Sequence, residues 1–328
     1  MLRFAMISKW HVHAAGYAKF VQAQPDATIT CVWDEDPVRG KAWADELGVE
    51  FVPCYDELLK RDDVDAVLID TPTNMHPEVM IKAANAGKHI FTEKVLALKT
   101  ADADAVIEAV EKNGVKFSIC FPHRCMARNL FIKQAVEDGL LGDISVLRIR
   151  NVHGGASEGW LPEYWYDPET TGGGAMMDLG AHGMYMAHWL LGNPVRIQSM
   201  FNNLVDVPVE DNAICTIEFE NKAVAITETS LVSPLAPFMI EVYGTKGAII
   251  GVGDDIKICT KDTAKIGANG GYVSAKLPKE GLPHPIRQFI DGVLYGKEII
   301  FGTKEARMLT QLMENAYISH NERREVKF

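Results

Sequence analysis

Over the first 120 residues, short uninterrupted apolar runs alternate with longer segments whose apolar residues recur at helical spacing. Strands buried on both faces of a parallel sheet have such continuous runs, and the helices that cover the sheet supply the spacing. The pattern therefore predicts an α/β domain built on a doubly wound parallel sheet. The predicted strands are Phe4–Ser8, Thr28–Trp33, Ala66–Asp70, His89–Thr92 and Lys116–Cys120.

The segments between these strands predict four helices. Gly48, Gly87 and Gly114 each follow one of them, at a position where a helix C-terminus favours a residue that tolerates positive φ. The predicted helices are Ala14–Ala23, Val38–Leu47, Pro77–Ala86 and Ala101–Lys112.

The pattern changes after Arg124. A predicted helix, Leu130–Asp138, leads into a predicted strand, Ile144–Val152, and a glycine-rich and aromatic stretch follows. Beyond residue 195, strands joined by short turns predict an α+β domain with a mainly antiparallel open sheet. We therefore expect two domains, 1–122 and 123–328. The later strands and helices are Val195–Asn202, Ala213–Glu220, Ala223–Leu231, Phe238–Gly244, Ala248–Gly251, His284–Tyr295 and Lys304–Ser319.

Composition excludes several classes of protein. The 47% hydrophobic content supports a folded core, and the net charge of −11 disfavours nucleic acid and anionic membranes as partners. The six cysteines include no C-x-x-C pair, so we expect reduced thiols and no metal site. The N-terminal apolar run is short and ends at Lys9, which is typical of neither a signal peptide nor a membrane span; we expect a cytoplasmic protein.

The turn after the first strand lacks the glycines of a dinucleotide-binding loop. Where such a domain has G-x-G-x-x-G, this chain has Ser8-Lys9-Trp10-His11-Val12-His13. Trp10 stands where the second glycine lets the backbone approach a pyrophosphate. A phosphate would then be bound by the N-terminus of the following helix, with Lys9 or a histidine nearby.

Asp34 ends the second strand, 21 residues after the last position of that loop. An acidic residue at this distance holds the adenosine ribose 2′-hydroxyl in dinucleotide-binding domains and disfavours a 2′-phosphate. This predicts NAD rather than NADP. A solvated acidic turn is the alternative that the residues leave open.

Two further polar segments begin at the carboxyl ends of strands, where an open parallel sheet binds its ligands: Asp70–His76 and Glu93-Lys94. Lys94 is thereby placed at the mouth of the crevice. A lone lysine after a strand is usually a solvated surface residue, so the position alone does not assign a role.

Asp178 and His182 are four residues apart on a helix predicted to begin near Gly172-Gly173-Gly174. Residues at this spacing share one helix face, which pairs a group that titrates near neutral pH with a carboxylate. A purely structural pair is the alternative. Upstream, His153, Trp160 and Trp165 suit a carbohydrate ring, or else fill a domain interface, and Arg124 lies at the domain junction.

Taken in order, these segments resemble the glucose–fructose oxidoreductase / inositol dehydrogenase family, Gfo/Idh/MocA. The resemblance is carried by Thr71–His76, Ala86–His89 with Glu93-Lys94, Gly172–Ala175 with Asp178, Gly180 and His182, and Gly244–Gly247. It implies an N-terminal Rossmann domain and a C-terminal domain whose sheet often forms the oligomer interface. It also implies an NAD-dependent oxidoreductase acting on a sugar, polyol or cyclic alcohol, assembled as a homodimer or homotetramer.

The resemblance implies roles for particular residues. Lys94, Asp178 and His182 are similar to the family's catalytic lysine, aspartate and histidine, with His182 exchanging the hydroxyl proton. Three departures stand out: the glycine-free loop, Val95 in place of the usual proline, and Tyr185 where many members have aspartate. The expected cofactor contacts are Ser8, Trp10, His11, His13, Asp34, Thr71, Asn74, His76, Glu93 and Lys94. The expected substrate contacts are Arg124, His153, Trp160, Trp165, Asp178 and His182.

Three alternatives remain at this point. A redox-neutral enzyme of the same fold would hold NAD tightly and use transient oxidation for hydrolysis, elimination or epimerisation. His11-x-His13 also occurs after the first strand of barrel metallohydrolases, although no further ligand set follows at barrel spacing. A ligand sensor without catalytic activity is the third.

Overall fold

The computed structural model describes residues 1–265 and 271–328. Its contacts divide the chain into two compact units. Unit 1 comprises Met1–Phe121 and Pro283–Thr310, and unit 2 comprises Pro122–Leu282 and Gln311–Phe328. None of the helices within the described residues has the length and apolar character needed to cross a membrane.

Unit 1 is the predicted doubly wound domain. Its six strands are all parallel, in the order β3-β2-β1-β4-β5-β6, the order of a Rossmann fold. Gly48, Gly87 and Gly114 have φ of 70°, 73° and 63°, which confirms the predicted helix ends. The elements are β1 Leu2–Ile7, α1 Ala14–Gln22, β2 Ala27–Trp33, α2 Pro37–Leu47, β3 Glu50–Phe51, α3 Tyr55–Leu59, β4 Ala66–Ile69, α4 His76–Asn85, β5 His89–Thr92, α5 Thr100–Asn113 and β6 Phe117–Ile119.

Unit 2 is built on a nine-stranded sheet. The strand order is β14-β13-β12-β11-β7-β10-β9-β8-β15, and every pair is antiparallel except β7 with β10. The elements are α6 Ala127–Glu137, β7 Ile144–Val152, α7 Pro168–Thr171, α8 Ala181–Leu191, β8 Pro194–Asn202, β9 Asn212–Phe219, β10 Val224–Ser230, β11 Met239–Gly244, β12 Gly247–Val252, β13 Asp255–Thr260, β14 Val273–Ser274 and β15 Val326–Lys327.

One face of the unit 2 sheet is covered and the other is not. Along β9, Ala213, Cys215 and Ile217 are buried while Ile214 and Thr216 between them are exposed, the alternation expected of a half-buried strand. Helix α8 packs on β7 and β10. The covered face therefore carries the core of the unit and supports the segment before α8.

The structure departs from the predicted domain division in one segment. We expected all residues from 123 onward in the second domain, whereas α9 (Pro285–Tyr295) belongs to unit 1. Its residues Ile286, Phe289 and Ile290 are fully buried in the same apolar cluster as Phe4 and Phe91. Burying each of these side chains in the core of unit 1 stabilises that unit by about 1.5–3 kcal/mol. This gain explains why α9 packs in unit 1 although the segment before it belongs to unit 2. The next helix, α10 (Thr303–Glu322), contributes residues to both units.

Candidate active site

Four polar residues of unit 1 directly follow parallel strands. Ser8 comes after β1, Asp34 after β2, Asp70 after β4 and Glu93 after β5. Carboxyl ends of parallel strands lie at one edge of a sheet, so the fold places all four side chains along the edge where open α/β sheets bind ligands.

The loop between β1 and α1 retains a tight turn without glycine. Ser8 has φ of 72°, the left-handed region that glycine occupies most easily, and its Oγ accepts a hydrogen bond of 3.0 Å from the backbone N–H of Trp10. The Trp10 side chain is buried, with only 6% exposed. Helix α1 then begins at Ala14 without a side-chain cap from His13, which leaves its positive end available to an anion.

Asp34 accepts hydrogen bonds from both neighbouring segments of unit 1. Its carboxylate accepts from the backbone N–H groups of Lys9 and Asp36, both at 2.8 Å, and from Nη2 and Nε of Arg39 at 2.6 and 3.0 Å. A carboxylate has about four acceptor positions, so these bonds leave none for a ribose hydroxyl. In this structure Asp34 holds the loop after β1 to α2, and its contact with a ribose stays a prediction.

The two carboxylate oxygens of the neighbouring Glu35 differ in their hydrogen bonding. Its Oε1 lies 2.5 Å from Nη2 of Arg39, while Oε2 is buried without a hydrogen-bond partner among the described residues. Burial, and next the charge of Asp34, raise the pKa of Glu35. A buried acceptor without a partner is costly, so Glu35 is the better candidate for a ligand hydroxyl here.

The segment after β4 contains one exposed and one buried candidate. Asn74 lies exposed in the 3-10 turn Thr73–Met75, whereas His76 is 1% exposed. Nδ1 of His76 lies 2.7 Å from the carbonyl oxygen of Val95 and Nε2 lies 3.2 Å from that of Thr71. Burial lowers the pKa of His76. The ring thus ties the segment after β4 to the segment after β5.

Glu93 is the centre of a buried polar group at the end of β5. It is 2% exposed, its Oε1 accepts from the hydroxyl of Tyr17 and lies 3.1 Å from Nδ1 of His13, and its Oε2 accepts from the backbone N–H of Lys94 at 2.8 Å. Burial alone would raise the pKa of Glu93, but His11, His13 and Lys94 outweigh burial and hold it well below the usual value. Lys94 is itself only 5% exposed, unlike the solvated surface lysine of the alternative interpretation.

Asp178 and His182 of unit 2 lie on either side of a change in helix type. Asp178 belongs to a π-helical turn, Met176–Gly180, and His182 belongs to α8. The expectation of one regular helix therefore needs correction, because a π turn widens the backbone and changes the angle between residues four apart. Such turns are frequent at functional sites.

Glu210 holds the start of this turn. Its Oε1 accepts from the backbone N–H groups of Gly174 and Met176, at 2.9 and 3.0 Å, and from the hydroxyl of Tyr317 at 2.7 Å. A Cβ on Gly174 would lie 2.0 Å from the carbonyl oxygen of Glu210, so only glycine permits this approach. Sequence reasoning missed Glu210, because it lies 36 residues from its partner in the chain and no local pattern indicates the contact.

The His182 ring is held by two aromatic neighbours. Its Nδ1 lies 2.8 Å from the hydroxyl of Tyr185, and its ring stacks on His123 with centroids 4.4 Å apart and planes 14° from parallel. The backbone N–H of His123 donates to the same Tyr185 hydroxyl at 3.2 Å. The contact with Tyr185 and the stacking on His123 fix the orientation of the imidazole ring.

The predicted substrate aromatics separate into exposed and buried residues. Trp160 is 55% exposed and its ring lies 4.7 Å from that of His153, whereas Trp165 is 5% exposed and belongs to the interior. The Arg124 guanidinium is buried and lies 5.1 Å from the ring centroid of Trp189. Only Trp160 and His153 of this group present a ring that a ligand can cover.

Comparison with known proteins identifies the family. Residues 11–121 match the oxidoreductase family with an NAD-binding Rossmann fold, and residues 130–250 match the C-terminal domain of the GFO/IDH/MocA family. The scyllo-inositol 2-dehydrogenase (NAD(+)) of Bacillus subtilis is 31% identical over 70% of this chain and 67% of its own length. The chain belongs to the Gfo/Idh/MocA family of oxidoreductases.

Two further proteins match nearly the whole chain. The myo-inositol 2-dehydrogenase of Thermotoga maritima is 29% identical over 95% of this chain and 94% of its own length. The crystal structure of GenD2 from gentamicin A biosynthesis, in complex with NAD, superposes with a TM-score of 0.85, covering 100% of this chain and 96% of that one at 24% identity. The family match begins at residue 11 and so omits the first half of the glycine-free loop.

Proposed function

We propose that this Gfo/Idh/MocA protein is an NAD-dependent dehydrogenase that oxidises a secondary alcohol of a sugar, polyol or cyclic alcohol. The observation that carries the proposal is the His182 imidazole, which Tyr185 holds through Nδ1 at 2.8 Å within the segment that the family model matches. An imidazole whose orientation is fixed in this way suits exchange of a proton with a substrate hydroxyl.

The carboxyl edge of unit 1 fits a dinucleotide. The Ser8 turn is tight, the N-terminus of α1 has no side-chain cap, and the buried Oε2 of Glu35 needs a donor such as a ribose hydroxyl. The residues that would hold NAD are Ser8–His13, Glu35, Thr71, Asn74 and Lys94. Bound NAD would supply the hydride acceptor for oxidation of the carbinol carbon.

The charges beside β2 favour NAD over NADP. Arg39 is shared by Asp34 and Glu35, at 2.6 and 2.5 Å, so one positive charge faces two carboxylates. The remaining negative charge repels a 2′-phosphate. We expect kcat/KM at least tenfold higher with NAD than with NADP.

The chain's own residues handle the proton. The Nε2 of His182 takes the hydroxyl proton as the carbinol is oxidised and returns it in the reverse direction. We propose that Lys94 positions and polarises the alcohol oxygen, and that Asp178 accepts a hydrogen bond from a neighbouring hydroxyl. These roles follow the family resemblance of the three residues.

The uncovered face of the unit 2 sheet suits a homo-oligomer. Met200, Ile214 and Val252 are exposed at 76%, 45% and 43%, and a pocket of about 260 Å³ lies on the same sheet, lined by residues of β8 and β9 that include Gln198 and Thr216. We propose a homodimer or homotetramer formed through this sheet. Light scattering coupled to size-exclusion chromatography measures the assembly, and a monomer at micromolar concentration would contradict it.

The test of function is NADH formation at 340 nm with a panel of inositols, sugars and polyols. We expect turnover with at least one cyclic polyol, and a fall in kcat of roughly 10²-fold or more in His182→Ala and Lys94→Ala. His89→Ala, a histidine at the opposite end of β5, serves as the control. Normal kcat in both variants would contradict the mechanism, and product formation without NADH would favour the redox-neutral alternative.

A further inference from the structure

Three metal-ligand side chains come together in unit 1. His11 and His13 lie in the loop after β1, and Glu93 lies at the end of β5, about 80 residues away in the chain. Each offers one ligand atom, and these atoms all lie within 4.8 Å of one another. Nδ1 of His13 is 3.1 Å from Oε1 of Glu93, close to the separation of two ligands on one metal ion with bonds of about 2.0–2.1 Å.

The surroundings of the three residues are those of a cation site. Glu93 is 2% exposed, and the fully buried Asp70 beside the cluster has both carboxylate oxygens without a hydrogen-bond partner among the described residues. A buried carboxylate without donors, such as that of Asp70, is costly unless it is protonated or a cation lies nearby. Asp70 is adjacent to the three ligand residues, since its backbone carbonyl accepts from the N–H of His11 at 3.1 Å, and a cation bound there would also stabilise its carboxylate.

Hydrogen bonds from neighbouring groups also fix the orientation of the Glu93 carboxylate. The hydroxyl of Tyr17 donates to its Oε1 and the backbone N–H of Lys94 donates to its Oε2. Outer hydrogen bonds of this kind commonly fix metal-binding carboxylates and imidazoles. The backbone N–H of His13 donates to Nδ1 of His11 at 3.2 Å. A metal on Nε2 of His11 would place the ring proton on Nδ1 and would therefore break this hydrogen bond.

We propose that His11, His13 and Glu93 bind one divalent transition-metal cation of the zinc class. Two imidazoles and one carboxylate suit such a cation and do not suit magnesium or calcium, which prefer oxygen ligands alone. Three protein ligands leave at least one coordination position for water or a ligand oxygen. The metal site shares His11 and His13 with the loop proposed to hold NAD, and zinc binding does not depend on the proposed dehydrogenase activity.

The experiment measures zinc binding by the full chain without an affinity tag. The protein is stripped with a chelator, titrated with Zn²⁺ by calorimetry, and analysed for metal after dialysis. We expect close to one equivalent with submicromolar affinity, and at least tenfold weaker binding in His11→Ala, His13→Ala and Glu93→Gln. Co²⁺ provides a second probe, whose visible absorption reports imidazole coordination and is expected to change in His13→Ala.

His13→Ala is the decisive variant, because its side chain is 51% exposed and its removal disturbs packing least. His89→Ala is the control, since it removes an imidazole from the same unit outside the cluster, and it is expected to bind zinc as the wild type does. Binding well below one equivalent, or equal affinity in the wild type and both His11→Ala and His13→Ala, would overturn the proposal. Circular dichroism establishes that each variant is folded before it is titrated.

Discussion

The hydroxyl of Tyr185 lies 2.8 Å from Nδ1 of His182, three residues earlier on α8. The same hydroxyl accepts a hydrogen bond from the backbone N–H of His123, so it joins the helix to the 3-10 turn Pro122–Cys125. A carboxylate at this position would accept only and would hold the proton on Nδ1. A hydroxyl can either donate or accept, and so permits both neutral tautomers of His182.

Removing this hydroxyl tests its positioning role. We expect Tyr185→Phe to lower kcat about tenfold with little change in KM, since one hydrogen bond contributes about 0.5–1.5 kcal/mol and substrate contacts stay in place. Steady-state kinetics at several pH values make the measurement, and the pH profile is expected to change with kcat. Tyr243→Phe, which removes a hydroxyl bonded to Glu241 on β11, is the control. An unchanged kcat and pH profile in Tyr185→Phe would refute the role.

Glu210 is expected to stabilise the turn that carries Asp178. Glu210→Ala leaves the N–H groups of Gly174 and Met176 without their acceptor, which costs about 2–4 kcal/mol of unfolding free energy. Glu210→Gln retains an oxygen for both donors and is expected to lie much closer to the wild type. Thermal or denaturant unfolding measures the difference. Equal stability of the Ala and Gln variants would show that these bonds do not matter.

The ion pair between Arg287 and Asp26 gives the docking of α9 a pH dependence. Nη1 and Nη2 of Arg287 donate to the two carboxylate oxygens of Asp26 at 2.7 and 2.9 Å. These hydrogen bonds hold the pKa of Asp26 well below its usual value. Because the folded pKa is depressed, the stabilisation is present above the unfolded value of about 3.9 and is lost as pH falls through the folded value.

We therefore expect Asp26→Asn to lower Tm by about 2–4 °C at pH 7 and to make the acid side of the stability curve less steep. Thermal unfolding from pH 7 to pH 3 measures both effects. Asp45→Asn, which breaks the exposed pair with Lys41 within α2, is the matched control and is expected to change Tm little. If the Tm of Asp26→Asn had the same pH dependence as that of the wild type, the stabilising role of the ion pair would be contradicted.

The two tryptophans of the predicted substrate segment are expected to behave differently. Trp160 is exposed beside His153, so Trp160→Ala should raise KM for a cyclic substrate about tenfold and leave stability nearly unchanged. Trp165 is buried, so Trp165→Ala should cost about 3–5 kcal/mol of unfolding free energy. Kinetics and unfolding of both variants separate the two roles, and loss of stability in Trp160→Ala alone would reverse the assignment.

The elements were predictable wherever one periodicity continued along the chain. The parallel strands of unit 1, the later antiparallel strands and the glycines at helix ends are local patterns, and the structure has all of them. The return of α9 to unit 1 was not predictable in this way. Its apolar face would suit either core, and only three-dimensional packing selects Phe4 and Phe91 as its neighbours.

The sequence by itself determined the order of the segments, their strand or helix type, and the candidate side chains at the ends of the strands. Tertiary structure decided which of those side chains meet. It paired Asp34 with Arg39, placed Glu93 against His13, and set Glu210 under the turn before α8. Hydrogen bonds depend on distance and angle between groups far apart in the chain, and a linear pattern specifies neither.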